Sequence, residues 1–416
     1  MTDVPQTAGR GQRLSQGEFV AMIAVLFATI AFSIDAMLPA LPEIAAELTP
    51  DAVNQAQLVL TTFVLGMGLG TLVAGPLSDS IGRKRAIIGF VGLYILGAIG
   101  AAMATSIEML LLARLVQGLG AAGPRIVSIA LVRDLYEGRT MARIMSFVMM
   151  IFILIPAVAP SIGALIIAGF GWRGIFGAFV LFGILTVLWL GLRQEETLAP
   201  ENRRPFRAGP LWEAFTEVLR NRMVLLYIVV LTLGFGQMFA LLSSIQQIYS
   251  ETFGRAETFP LWFAATGLLS GLGTIVNATL VMRLGMRRLA MTAYAVQTVI
   301  SGLLVAAEVT GIIPPGLAFP VFFAWSVSVF FMAGLTFGNL NALALQPMGH
   351  IAGMAASVVG ALSTVGSVIL AAPIGLAFDG TIVPLTVGTL VCSALALWLM
   401  RWSREAEPGA VPGPGH

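Results

Sequence analysis

Three ionisable side chains fall inside stretches that are otherwise apolar. Asp35 sits in FSIDAMLPALPEI, and Arg114 and Arg125 both sit in RLVQGLGAAGPRIVSIALVRDLY. A charged residue at the centre of a lipid-embedded helix costs roughly 2.5–3.5 kcal/mol, so each needs a cavity or a partner. A carboxylate held out of water can load and release a proton near neutral pH, which would make Asp35 a proton carrier. It could instead be a structural acid near the water interface, because Pro39 and Pro42 announce the end of its helix. Arg114 has Gln117 one turn along on the same helix face. Arg125 returns to nearly that face about 16 Å further along. It could meet an anionic substrate group, counter an acid such as Asp134, or belong to a structural pair. A fourth cluster, GPLSDSIGRKR from Gly75 to Arg85, puts one carboxylate and three adjacent cations in a tight turn between two apolar runs.

The elements that must hold these groups follow from composition. Of 416 residues, 57% are hydrophobic and only 11% charged, against roughly 25% charged in soluble domains. Mean hydropathy is +0.91. Continuous apolar runs of membrane length predict helices and exclude the alternating pattern of a membrane barrel. Twelve spans are expected, at 18–41, 56–77, 86–104, 109–131, 144–168 and 173–192, then 223–247, 260–281, 289–308, 317–345, 354–377 and 383–401. The first apolar run is too long for a signal peptide and is read as a retained helix. A polar stretch between Arg193 and Arg222 divides the spans six and six, with a surface helix around Trp212 to Leu219 or a disordered linker. The expected organisation is a tail over 1–17, a six-helix bundle over 18–193, a central loop over 194–222, a second six-helix bundle over 223–402 and a tail over 403–416.

Charge sets the orientation. Of the 23 Lys and Arg residues, Arg114 and Arg125 lie in a span, Arg173 and Arg255 outside, and the rest on one side of the membrane. Acids (Glu43, Glu47, Asp51, Glu251, Glu257) mark the other. The positive-inside rule then puts both termini in the cytoplasm. No basic patch suggests nucleic acid. Cys392 is the lone cysteine, and His350 and His416 lie in a loop and at the last residue, so no disulfide, metal site or cofactor is expected.

The Gly75–Arg85 stretch resembles the G-x-L-x-D-x-x-G-R-K/R loop of the major facilitator superfamily of secondary transporters, through Gly75, Leu77, Asp79, Gly82, Arg83 and Lys84. Laying Gly285 over Gly82 puts Arg287 and Arg288 over Lys84 and Arg85, and Met282 over Asp79. The resemblance implies an all-α integral membrane fold of two pseudo-symmetric six-helix bundles, with substrate bound between them near the midplane. Ser33, Asp35, Leu38, Pro39, Leu41 and Pro42 are similar to the T-D-M-Y-L-P-x-L-P of the bicyclomycin/chloramphenicol-resistance branch of drug:proton antiporters, with Met37 where Tyr is usual. Arg114, Gln117, Gly118, Gly120, Ala121 and Ala122 resemble that family's R-x-x-Q-G-x-G-A-A motif, which implies a role for Arg114 in proton transfer; a structural tie between helices is the alternative. Pro156, Pro160 and Gly163 resemble a degraded form of the exporters' antiport motif, and GWRGIF (Gly171 to Phe176) adds to the branch-level match.

Further expectations attach to single residues. Asp79 is expected to pair with Arg133, cap the helix starting near Gly353 and so latch the cytoplasmic side, or else simply to neutralise its own loop. Gln237, Gln246, Gln247, Asn339 and Asn341 would orient a ligand or join helices. No Walker loop is present, because the only lysine, Lys84, lies in Arg-Lys-Arg. A proton gradient is the natural energy source. At 100 mV and one pH unit a proton supplies about 3.7 kcal/mol, enough for a gradient of about 500-fold in a neutral solute. The expected function is proton-coupled multidrug efflux by alternating access across the bacterial inner membrane, by a monomer that exchanges a drug-like small molecule for protons. A proton-coupled transporter of one metabolite and a non-transporting membrane sensor are the alternatives. No catalytic constellation is visible, so no enzyme is expected.

Overall fold

A computed structural model describes residues 14–203 and 205–402. The terminal segments 1–13 and 403–416, which hold most of the expected tails, lie outside the described residues. The described residues form helices and turns, without strands. The α-helices are α1 (Gln16–Asp35), α2 (Leu41–Leu48), α3 (Leu58–Ile81), α4 (Arg83–Ala102), α5 (Ile107–Leu135), α6 (Gly138–Arg193), α7 (Ala208–Arg220), α8 (Arg222–Gln247), α9 (Phe259–Leu284), α10 (Met286–Thr310), α11 (Pro315–Leu345), α12 (Ala352–Leu376) and α13 (Val383–Trp402).

Among the described residues, ten segments are long and apolar enough to cross a membrane. Two of them, Gly138–Arg193 and Pro315–Leu376, run for 56 and 62 residues, each long enough for two crossings at about 1.5 Å per residue. The first bends at Gly171, whose φ of 65° belongs to glycine. The second is interrupted over Gln346–Ile351. The twelve expected spans thus fall on ten segments. The first span is also shorter than expected as an α-helix. It stops at Asp35, turns through Leu38–Ala40 and resumes as α2, with Pro39 and Pro42 at the starts of the new turns, where a missing N–H costs nothing.

Helix α5 is wedged between α3 and α4, and glycine permits the closeness. A Cβ on Gly118 would lie 2.0 Å from the Phe63 carbonyl oxygen, and one on Gly120 2.3 Å from the Tyr94 nitrogen. Without a hydrophobic drive between helices in lipid, such close backbone packing carries the association. In the second half, α8 packs on α11, α12 and α13. Contacts between the halves run mainly along α3–α12 and α6–α9. The sequence repeat has a backbone counterpart. Gly82 adopts φ 102°, ψ 154° and Gly285 adopts φ 78°, ψ 151°, each reversing the chain between two helices. The central polar stretch carries α7, longer than the expected helix at Trp212–Leu219, with Trp212 exposed.

Candidate functional site

Asp35 is the last residue of α1 and is only 5% exposed. Among the described residues no hydrogen bond or ion pair reaches its carboxyl group. The C-terminal end of a helix carries partial negative charge, so the backbone offers no counter-charge either. Helix α6 comes against this break: a Cβ on Gly163 would sit 2.2 Å from the carbonyl oxygen of Ala36. Gly163 therefore lies against the backbone beside Asp35. Pro160 is buried one turn earlier, and Pro156 faces Gly267 of α9. Met37 is completely buried, so it presents no surface to a ligand in this conformation.

Arg114 is completely buried and does not bond Asp35. Its Nε donates to the Val59 carbonyl (3.1 Å), Nη1 to Gln117 Oε1 (2.7 Å) and Nη2 to the Ser33 carbonyl (3.2 Å). The guanidinium lies over the ring of Phe63 at 4.3 Å. Carbonyls and an aromatic face thus replace water around the cation. The result ties α1, α3 and α5 together two residues before Asp35. A second strand of the network runs through Tyr94: Ser33 Oγ donates to the Thr29 carbonyl (2.6 Å), which leaves the Tyr94 hydroxyl to donate to Ser33 Oγ at 2.7 Å.

Arg125 differs from Arg114 in every respect. Its side chain is exposed while Ala121 to Pro124, Val127 and Ser128 around it are buried. Of the amides singled out on the second half, Gln237, Asn339 and Asn341 are engaged with protein. Gln237 accepts from Ser393 (2.8 Å), Asn339 donates to Asn277 (2.7 Å), and Asn341 donates to its own helix at Phe337 (2.9 Å).

At the basic face the expected pairing of Asp79 with Arg133 is replaced by another. Arg83 follows the reversal at Gly82, folds back on α3 and donates to Asp79 (2.5 Å) and Ser78 (2.7 Å). It also reaches Asp134 of α5 at 3.0 Å. The acid, and not the neighbouring Arg133, is the α5 group that meets this cluster. Asp134 also accepts from Thr197 (3.1 Å), so it is no counter-ion for Arg125. Among the described residues no bond joins Asp79 to Arg133 or to the first amides of α12. The N-terminus of α4 is capped from the central loop, where Glu196 accepts from the amides of Arg83 (2.7 Å) and Lys84 (3.2 Å). Lys84 Nζ donates to the Gly191 carbonyl at 2.7 Å. A Cβ on Gly82 would meet the Glu196 carboxylate, so this glycine is required by space as well as by φ.

The bonds that join the two halves lie at the opposite, acidic face. Gln57 donates to Gln247 (2.7 Å) and accepts from Ser244 (3.0 Å). Gln247 donates to Asn54 (2.9 Å), which donates to the carbonyls of Leu376 (3.1 Å) and Phe378 (2.7 Å). These uncharged partners close α3 against α8 and α12. The hydrogen bonds that hold the halves together in this conformation, an amide latch, therefore lie on the acidic face. Replacing Gln57 by Leu removes two bonds worth about 1 kcal/mol each and should raise the population open at this face roughly 30-fold. Spin labels at Asp51 and Asp379 should then show a longer-distance component; an unchanged distribution would remove the latch from the mechanism.

Comparison with known proteins accounts for this arrangement. The model of the Major Facilitator Superfamily matches residues 21–371. The chain belongs to that superfamily. Among its members, the chain is 29% identical over 405 residues to a bicyclomycin resistance protein homolog of Haemophilus influenzae, covering 95% of this chain and 99% of that protein. It is 28% identical over 388 residues to the multidrug resistance protein MdtL of Escherichia coli K12, covering 91% and 93%. The fold is similar to that of a solved D-xylose-proton symporter, with a TM-score of 0.72 at 14% identity over 92% of this chain and 97% of that one. The protein is a multi-pass membrane transporter of this superfamily and not an enzyme.

Several residues of this arrangement were invisible to motif reading. Asn54, Gln57 and Ser244 were not singled out, and Glu196 lay in a stretch read as linker. Glu43 and Glu47 of α2 receive the GWR turn: the Trp172 amide donates to Glu43 (3.0 Å), while its ring nitrogen and Arg173 donate to Glu47 (2.7 Å each). The close pairing of acids and donors in the loops of the acidic face was the available signal.

Proposed function

We propose that this transporter exports drug-like small molecules in exchange for protons, across the bacterial inner membrane with both termini in the cytoplasm. The supporting observation is Asp35, a buried carboxyl group without a partner among the described residues, at the break between α1 and α2. A group so placed can exchange its proton when the helices around it move. The two named relatives carry resistance in their names, and the resemblance of SIDAMLPALP points the same way.

In this reading the halves of twelve spans rock about the α3–α12 and α6–α9 contacts. Loading of substrate from the cytoplasm displaces the proton from Asp35 or follows its loss. The amide latch then opens, substrate leaves outward, and Asp35 is reprotonated from outside. Arg114 holds the backbone of α1 at Ser33 and positions Asp35 without touching it. Arg83, bridging Asp79 and Asp134, braces the inner ends of α3, α4 and α5 while the halves move. The prolines of α6 let that helix bend beside Asp35.

The reading is tested by ligand-induced proton release from detergent-purified protein, across phenicols, bicyclomycin-like compounds and cationic dyes. Release by one class in the wild type, absent in Asp35→Asn, is expected. Binding without release in the wild type would contradict direct exchange.

A further inference from the structure

The charged groups that the sequence places inside apolar stretches are Asp35, Arg114 and Arg125. The first is buried and the second has its donors engaged by Val59, Gln117 and Ser33. Arg125 alone of the three is exposed, and among the described residues no hydrogen bond, ion pair or ring contact engages it. A guanidinium facing lipid would be costly, and the 11-residue spacing puts this one on nearly the face of α5 that carries the buried Arg114. It therefore faces water inside the protein. The acidic face is shut by the bonds of Asn54, Gln57 and Gln247, and among the described residues no hydrogen bond or ion pair closes the first half on α8–α13 at the basic face. Asp134, the acid nearest in sequence, is held by Arg83 and Thr197.

We propose that Arg125 is the anchoring residue of the substrate site and that it selects aromatic or amphipathic substrates bearing a negative charge or a strongly electron-rich oxygen group, such as a sulfonate or carboxylate, over lipophilic cations. The argument rests on the transport reading above and narrows its cargo. A free cation repels cationic ligands by the same electrostatics that hold anions. A guanidinium also offers five donors in a planar fork that suits two oxygens at once. The small residues Ala121, Ala122 and Gly123 before Arg125 leave α5 packed tightly on α3 and α4, so the side chain projects from a rigid platform.

The test uses two probes matched in size and opposite in sign, 2-naphthalenesulfonate and N,N,N-trimethyl-2-naphthylammonium, with equilibrium binding to the purified full-length transporter. The wild type should bind the anion at least about tenfold more tightly than the cation. Arg125→Gln should lose about tenfold or more in anion affinity and gain or keep cation affinity, while Arg125→Lys should retain most of the preference. Gel filtration and thermal melting of both variants establish that they are folded. A wild type that prefers the cation, binds neither probe, or is unaffected by Arg125→Gln would overturn the proposal. Proton release is measured in parallel. Arg125-dependent anion binding without release would keep the anion site and sink proton exchange. Release that persists in Arg125→Gln with unchanged anion affinity would do the reverse.

Discussion

Asp35→Asn is expected to abolish substrate accumulation driven by a pH gradient while leaving substrate–substrate exchange intact. In everted vesicles with one pH unit imposed and the membrane potential collapsed, one proton per cycle sustains about a tenfold substrate gradient. The variant should sustain none. The reason is local. Asn keeps the shape of the neutral carboxyl group at the end of α1, so the break into Leu38–Ala40 and the packing of α6 survive. What it removes is the one proton that this position can load and release. The exchange assay therefore separates lost coupling from lost structure. Accumulation in the variant equal to the wild type would assign the coupling to another group.

Gly163→Val should disable transport through packing alone. Its added Cβ would start 2.2 Å from the Ala36 carbonyl oxygen, where ordinary contacts begin at 3.4 Å. Helix α6 must then move off α1 by about 1 Å, and because both neighbours are backbone, no side chain can swing aside. Overpacking of this kind costs about 1–3 kcal/mol. It also opens the shield around Asp35, so both thermal stability and transport rate should fall, with Gly163→Ala intermediate. A variant that melts like the wild type and transports normally would mean that α6 has slack at this contact.

How much of this was readable beforehand depends on the range of each interaction. Helical periodicity was enough to bring Gln117 to Arg114, because both ride on α5, and their bond at 2.7 Å follows from that spacing. The matched glycines at 82 and 285 could be found because a reversed turn demands a positive φ from a particular residue type. Asp35 stood out because charge in an apolar run is costly wherever it falls. The gate did not. Gln57 and Gln247 are separated by most of a half of the chain, and amides in helices carry no pattern that names their partners. The loop near Asp79 shows a subtler limit. An acid and the cations Arg83 and Arg133 were in view, but which of them met it turned on how Gly82 redirects α4. That backbone angle is a tertiary outcome. Glu196 was hidden for a similar reason, since a capping carboxylate supplied from a distant loop leaves no mark on the helix it caps.

The central claim is that substrate and proton cross in opposite directions through Asp35. Proteoliposomes loaded with a pH-sensitive dye test it most directly, with a substrate from the proton-release screen added to one side and no pH gradient imposed. The account predicts that downhill substrate movement drives protons the other way, and that Asp35→Asn passes substrate in exchange mode with no pH change. Substrate movement by the wild type with no accompanying proton flux would contradict it.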